Sequence, residues 1–146
     1  WTPDSPTLYE LTVTAGADTV HSYFALRTVE IKADKHGVQR MCLNGEPIFL
    51  KGICMHEEKP YGGGRANSTA DAHTLLTWAK ELGCNFVRLA HYPHNEYTIR
   101  EAERMGILVW SEIPVYWTIA WTNPQTYQNA ERQLTDMISR DQNRAK

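Results

Sequence analysis

The first 36 residues alternate hydrophobic and polar positions with the period of two that a β-strand requires. Residues 8–14, 20–26 and 28–32 are three such stretches, and Gly16-Ala17-Asp18 predicts a tight turn between the first two. Strands of this length joined by short turns are typical of a β-sandwich. Because three strands are too few to close a sandwich, we expect residues 1–36 to form only part of one.

From residue 37 onward the pattern changes to short apolar runs that alternate with amphipathic helices. Residues 38–43 and 47–50 flank Asn44-Gly45, a pair that favours the turn of a β-hairpin. The first apolar run, residues 49–55, lacks a polar face, which is typical of a strand buried on both sides. Three runs predict strands: residues 49–55, 85–90 and 107–111. With the helices between and after them, the order is βαβαβα.

Capping residues set the predicted helix ends. Ser68 with Asp71 resembles a capping box, Asn95 is a second candidate cap, and Asn123 with Pro124 starts the third helix. Gly83 and Gly106 end the first two helices. The positions expected on the inner faces are Leu75, Leu76, Ala79 and Leu82, then Ile99, Ala102 and Met105, then Tyr127, Ala130, Leu134 and Met137, with Arg100 and Glu101 facing outward.

Alternating strands and helices predict parallel strands with right-handed crossovers. A nucleotide-binding sheet is disfavoured, because Gly62-Gly63-Gly64 lies in a long loop and has neither GxGxxG spacing nor a GK[ST] ending. The remaining α/β architecture is a (β/α)8 TIM barrel, which needs eight units and roughly 250 residues. We therefore expect residues 37–146 to contain three of its βα units, and residues 1–36 to contribute the sandwich strands.

Composition narrows the function classes. Lys+Arg 15 against Asp+Glu 17 gives a net charge of −2, and no basic block suggests a nucleic-acid or membrane partner. Cys42, Cys54 and Cys84 form no CxxC pair, so we expect three buried thiols rather than a disulfide framework or zinc knuckle. The first residues lack signal-peptide features and both termini resemble cuts through a longer protein, so the compartment stays open.

Polar and aromatic side chains gather where the predicted strands end. His56-Glu57-Glu58 follows the first strand, His91-Tyr92-Pro93-His94 follows the second, and Glu112 ends the third, with Tyr116, Trp117 and Trp121 beyond it. In a barrel these strand ends meet at the face that carries function. Aromatic rings beside hydrogen-bonding groups suit a sugar, whose C–H faces stack on rings while its hydroxyls need donors and acceptors.

Two stretches carry a family resemblance. Residues 85–93 read NFVRLAHYP and residues 105–112 read MGILVWSE, and together they resemble the signature of glycoside hydrolase family 2, which includes β-galactosidases, β-glucuronidases and β-mannosidases. Residues 43–48 and 50–57 resemble the family's entry into its barrel, which implies that residues 37–146 are the first three βα units of a (β/α)8 TIM barrel. Residues 3–9 and 24–30 resemble its immunoglobulin-like domain. The resemblance covers essentially the whole chain but does not encode the sugar.

The resemblance implies a retaining exo-β-glycosidase that uses two glutamates about 5–5.5 Å apart. In the family the acid/base belongs to an Asn-Glu pair at strand four and the nucleophile lies at strand seven, so we expect neither in this chain. Asn95-Glu96 starts a helix and is not accepted as a substitute. The prediction is a glycosidase fragment with no catalytic residue of its own, inactive alone, and needing no cofactor.

The resemblance also assigns roles at the strand ends. His56 and His91 match sugar-contacting positions, and we expect Glu112, Trp110 and Trp117 to line the same pocket. Arg88 matches an arginine that braces the catalytic carboxylates, and here we expect it to find Glu112, Glu57 or water, since a buried unpaired arginine is costly. Glu57 has the opposite strand parity to His56 and is predicted to brace the site rather than contact sugar.

Two other functions stay open. A non-catalytic carbohydrate-binding or assembly module would use the same surface without chemistry, and a reading frame that stops after Lys146 would favour it. A metal-dependent hydrolase would need His56, Glu57, His91 and Glu112 as ligands from three strands, an arrangement with no HExxH helix. We predict no metal. The expected partners are a β-linked sugar and either the rest of the parent chain or further copies, because open sheet edges favour association.

Overall fold

The computed structural model describes residues 1–144, which form eight strands and three helices. The strands are β1 (Tyr9–Ala15), β2 (Asp18–Phe24), β3 (Val29–Ala33), β4 (Gln39–Leu43), β5 (Glu46–Pro47), β6 (Gly52–Met55), β7 (Phe86–Leu89) and β8 (Leu108–Ser111). The helices are α1 (Thr69–Glu81), α2 (Glu96–Met105) and α3 (Pro124–Asp141). From β6 onward the order is βαβαβα, as the sequence predicts.

Residues 1–47 contain two antiparallel sheets. β1 pairs with β2 from Tyr9↔Phe24 to Ala15↔Asp18, and the turn at Gly16 has a φ of 61°. β3 instead pairs with β4, and β4 with β5. Asn44 and Gly45 both have positive φ, 53° and 88°, which confirms the predicted hairpin turn. The β3–β4 hairpin therefore joins residues from both sides of the predicted division at residues 36 and 37.

The third sheet is fully parallel. β6, β7 and β8 pair in the order β6-β7-β8, with Ile53↔Val87 and Val87↔Val109 in register. Val87 and Leu89 on one face are buried against α1 and α2, in a core that also contains Leu76, Ala79, Ile99, Ala102 and Ile107. On the opposite face Cys54 and Trp110 are exposed. The parallel arrangement confirms the βαβ prediction, and the open face corresponds to the inside of a barrel.

Three predictions about burial at this sheet and its thiols are wrong. The first parallel strand covers only Gly52–Met55, and Phe49, expected within it, is 80% exposed. The strand is not buried on both faces, because the core within residues 1–144 lies on one side of the sheet, where α1 and α2 pack. Cys54 is exposed for the same reason, whereas Cys42 and Cys84 are buried, and all three cysteines are free thiols.

The predicted caps begin each helix. The side chains of Ser68, Asn95 and Asn123 accept hydrogen bonds from the backbone N–H groups of Asp71, Tyr97 and Gln125. Gly106 ends α2 in the left-handed conformation, with a φ of 71°. All three predicted helix starts are therefore confirmed.

The predicted inner faces of the helices are only partly correct. Leu82 is 70% exposed because the helix has already ended at Glu81. Glu101, predicted to face outward, is buried because His73 of α1 contacts its carboxylate at 2.7 Å. In α3 only Met137 of the predicted stripe is buried, and Tyr127 and Leu134 are exposed.

The first residues of the chain pack against α2. The indole Nε1 of Trp1 donates to the backbone oxygen of Glu103 at 2.8 Å, and Arg27 donates to the backbone oxygen of Arg144 at the same distance. Burial lowers the pKa of Arg27, an effect that the nearby Glu103 carboxylate opposes. This contact fixes the N-terminal segment beside the end of α2, away from the edge where the parallel strands end.

Candidate active site

The carboxyl ends of the three parallel strands bring His56, His91 and Glu112 together. The His56 and His91 rings lie edge to face with 5.3 Å between their centroids. Nδ1 of His91 is 3.4 Å from Oε2 of Glu112. Neighbouring parallel strands place equivalent residues side by side at one edge of the sheet, which is why residues separated by up to 56 positions meet. The predicted convergence of the three strand ends is confirmed.

Glu112 of this cluster forms an ion pair with Arg88 on the open face of the sheet. Arg88 stands between Cys54 and Trp110 in the strand register. Its Nε donates to Oε1 of Glu112 at 2.5 Å and its Nη2 donates to Oε2 at 3.0 Å. Such a bidentate pair fixes both side chains. The Arg88 hydrogen bond lowers the pKa of Glu112, and Glu112 raises that of Arg88.

His91 is held by the same ion pair. Its Nδ1 is 3.1 Å from Nη2 of Arg88, which is closer than the 3.4 Å to Glu112. Nδ1 accepts from Nη2 of Arg88 in one tautomer of the ring and donates to Glu112 in the other, so the ion pair holds His91 in either case. The Tyr116 ring covers one side of His91, with 5.2 Å between centroids.

Glu57 lies beside the cluster, in the loop that follows β6. Its buried carboxylate accepts a hydrogen bond from Nε of Arg65 at 2.8 Å, and it also contacts Nη2 of Arg65 and the backbone N–H of Asn95. Glu57 thereby ties the loop after β6 to the start of α2. Glu57 is not the partner of Arg88. Of the three partners expected for Arg88 (Glu112, Glu57 or water), the structure shows Glu112.

Tyr92 and His94 lie beside the cluster, and the sequence analysis placed them at this strand end without giving either a role. The Tyr92 ring stacks on His94 at 5.1 Å and lies 6.2 Å from the His56 ring. His94 is buried, and its Nε2 contacts the backbone oxygen of Ala90 at 2.9 Å. Burial lowers the pKa of His94, so this ring is neutral at pH 7. The adjacent HYPH letters were the available signal, but spacing alone cannot show which ring faces inward.

The predicted aromatic residues occupy two different places. Trp110 shares its row with Arg88 and is 58% exposed on the open face. Trp117 lies in the loop between β8 and α3, has a φ of 60° and is 92% exposed. That loop and α3 enclose a cavity of about 300 Å³, lined in part by Tyr116, Trp121 and Tyr127. Ring surfaces therefore border the strand-end cluster on the β8 side.

Two further properties concern residues 1–144 as a whole. Within them, His, Cys, Asp and Glu side chains form no group of three or more that could hold a metal ion. None of the three described helices combines the length and the apolar character needed to cross a membrane.

The residues that form the parallel sheet and its strand-end cluster match a known protein family. The sequence profile of "Glycosyl hydrolases family 2, TIM barrel domain" matches residues 31–145, which is most of the chain. The chain belongs to glycosyl hydrolase family 2. The three parallel βα units are therefore part of a family 2 TIM barrel, and the profile starts within β3 and includes the strand-end cluster.

Individual relatives are similar over nearly the whole chain. A putative β-glucuronidase of Formosa agariphila is 32% identical over 98% of this chain, and a β-galactosidase of Thermoanaerobacter pseudethanolicus is 33% identical over 98%. This chain spans only 17% and 19% of those two proteins. A crystal structure of a family 2 β-galacturonidase from Eisenbergiella tayi, bound to galacturonate, superposes with a TM-score of 0.85 at 29% identity, over 99% of this chain and 26% of that one.

Proposed function

We propose that this chain is part of a retaining exo-β-glycosidase and provides one wall of its sugar-binding pocket. The observation that carries this proposal is the meeting of His56, His91 and Glu112 at the carboxyl edge of a family 2 barrel sheet. Barrel enzymes place their chemistry at this edge. The three relatives named above are a putative β-glucuronidase, a β-galactosidase and a β-galacturonidase, so the proposal does not extend to one sugar.

Each predicted contact residue has a place in this proposal. His56 and His91 donate to or accept from sugar hydroxyls, and Glu112 accepts from them while Arg88 braces it. Trp110 and Trp117 offer exposed ring faces for the C–H surface of the sugar. Glu57 braces the same wall. This division of roles is supported by exposure, since Trp110 and Trp117 are exposed whereas Glu57 is buried.

The chain supplies no catalytic glutamate in this proposal. Retaining hydrolysis requires one carboxyl group to protonate the leaving oxygen and another to attack the anomeric carbon. The Asn95-Glu96 pair does not fit, because Asn95 caps α2 and the exposed Glu96 pairs with Arg100 at 2.9 Å. Glu112 is engaged by Arg88 through both oxygens. We therefore expect both catalytic glutamates to come from other parts of the full-length protein.

The proposal also assigns residues 1–36 to an immunoglobulin-like sandwich and residues 37–146 to the barrel. The β1–β2 hairpin exposes Tyr9, Leu11, Val13, Val20 and Tyr23, and β6 and β8 each pair with one neighbour within residues 1–144. Exposed apolar strands and open edges favour association. We expect them to be covered by the rest of the parent chain or by self-association, and a purely monomeric chain at high concentration by light scattering would contradict self-association.

Activity measurements test the proposal directly. The full-length protein should hydrolyse at least one nitrophenyl β-glycoside (galactoside, glucuronide or mannoside) with retention of configuration, and the purified 146-residue chain should hydrolyse none. In the full-length protein, His91→Ala should reduce kcat/KM about 10–100-fold, since it removes a hydrogen bond to the bound sugar.

Arg100→Ala is the matched control, because its partner Glu96 lies on the exposed face of α2. It should leave kcat/KM unchanged. Two results would contradict the proposal: a full-length protein without glycosidase activity, or turnover by the purified chain that Glu112→Gln does not alter.

A further inference from the structure

The glycine-rich loop after β6 folds back on itself and brings Arg65 beside Glu57. Gly62, Gly63 and Gly64 all have positive φ, between 71° and 92°, a conformation that other residues rarely adopt. The backbone N–H of Lys59 donates to the oxygen of Gly64 at 2.9 Å, and Glu58 forms a β-bridge with Arg65. The loop therefore acts as a hairpin whose second arm carries Arg65 to the strand-end cluster.

Arg65 makes two different contacts with the two sides of its guanidinium group. Its edge donates to the buried Glu57 carboxylate, with Nε 2.8 Å from Oε2. Its flat face lies over the Tyr92 ring, 5.0 Å from the centroid. Only arginine combines a planar donor edge with a face that stacks on an aromatic ring; a lysine offers a point charge without a plane.

Tyr92 transmits this contact to the proposed sugar-binding wall. Its hydroxyl oxygen accepts a hydrogen bond from the backbone N–H of Glu57 at 3.3 Å, next to His56 in the chain. Its ring stacks on the buried His94, with 5.1 Å between centroids, and lies 6.2 Å from the ring of the exposed His56. Tyr92 therefore contacts the His56 ring and the backbone beside it, and Arg65 lies over the Tyr92 ring.

We propose that Arg65 is a positioning residue for sugar binding, which acts by clamping Tyr92 and thereby fixing His56. The inference rests on the proposed function, because it takes the His56 side of the cluster to be a sugar-binding wall. Arg65 does not touch the proposed sugar-contacting side chains directly: its contacts are with Glu57 and Tyr92. The glycine-rich loop then has a function of its own, which is to deliver this one side chain.

The first test is spectroscopic and uses the 146-residue chain. With ¹³C-labelled histidine and tyrosine, Arg65→Lys should keep the buried Glu57 carboxylate paired but shift the ring resonances of Tyr92 and His56. His73, which contacts Glu101 between α1 and α2, should stay at its wild-type position. Arg100→Lys is the control and should shift none of the three rings.

Arg65→Gln removes the charge and should shift the same two rings further. If that variant unfolds because Glu57 loses its partner, Arg65→Lys alone decides the question. Unchanged Tyr92 and His56 resonances in folded Arg65→Lys would overturn the proposal. So would an equal shift of His73, since it would indicate a general loosening of the fold.

The second test uses the full-length glycosidase. Arg65→Lys should raise KM about tenfold and change kcat less than about threefold, because the misplaced wall weakens binding without altering the reacting groups. A fall in kcat with unchanged KM would overturn the proposal. If the wild-type full-length protein has no glycosidase activity, the proposed function fails, and the ring resonances still decide whether Arg65 positions Tyr92 and His56.

Discussion

Arg88 carries its charge on the open face of the parallel sheet, and Glu112 is its principal partner there. The two side chains share two hydrogen bonds, and His91 contacts both. Because the pair is only partly exposed, solvent screens it less than a surface ion pair. It fixes the positions of two of the three strand-end side chains.

Removal of Arg88 should raise the pKa of Glu112. Arg88 holds that pKa below its ordinary value of 4.5, mainly through its hydrogen bonds. A lowered folded-state pKa means that Glu112 stabilises the fold above pH 4.5 and that this contribution is lost as the pH falls through the folded-state pKa. In Arg88→Met the Glu112 titration, followed by its ¹³C carboxyl resonance, should move to higher pH than in the wild type.

Arg100→Met is the control for this titration. Arg100 also pairs with a glutamate, but that residue is Glu96 on the exposed face of α2. The Glu112 titration should be the same in this variant and in the wild type. An unchanged Glu112 midpoint in Arg88→Met would show that the ion pair does not form in solution.

At the scale of single residues the sequence could predict types of role better than partners. Strand parity predicts that Glu57 braces the site, and the structure shows its carboxylate buried and paired, although Glu57 lies just after the end of β6. Its partner Arg65 was beyond prediction, since three left-handed glycines must first reverse the chain. The role of Tyr92 was missed for a similar reason: it depends on a ring stack that no sequence spacing reveals.

At the scale of the secondary-structure elements, the junction between α2 and β8 lies close against the N-terminal segment. Gly106 has a φ of 71°, and a Cβ atom at this position would collide with the backbone of Pro3. Gly106→Ala should therefore lower the free energy of unfolding by about 2–4 kcal/mol, the sum of backbone strain and displaced packing. Urea unfolding of the 146-residue chain measures this change.

Gly16→Ala provides a matched comparison. Gly16 has a similar φ of 61°, but a Cβ there would meet no atom within 4 Å. Its cost should be only the backbone strain, about 1 kcal/mol. Equal losses in the two variants would show that Pro3 does not pack against this junction.

Helix ends were more predictable than helix faces. Ser68, Asn95 and Asn123 cap their helices through local hydrogen bonds, which depend only on neighbouring residues. The faces depend on what packs beside each helix. Glu101 is buried and contacts His73 of α1. The periodicity of α2 alone cannot predict a contact with another helix.

Taken as a whole, the molecule combines a predictable parallel unit with a less predictable N-terminal half. Alternating strands and helices require parallel pairing with crossovers, so β6, β7 and β8 follow directly from the sequence pattern. An alternating pattern does not determine which antiparallel strands pair. β3 pairs with β4 and not with β2, although its alternation resembles that of β1 and β2.

The most direct measurement is a crystal structure of the full-length protein with a bound monosaccharide, chosen from the sugars whose nitrophenyl glycosides it hydrolyses. The account predicts that sugar hydroxyls lie within hydrogen-bond distance of His91 and at least one of His56 and Glu112, with Arg88 still paired to Glu112. A sugar bound elsewhere, with these three strand-end side chains far from it, would contradict the account.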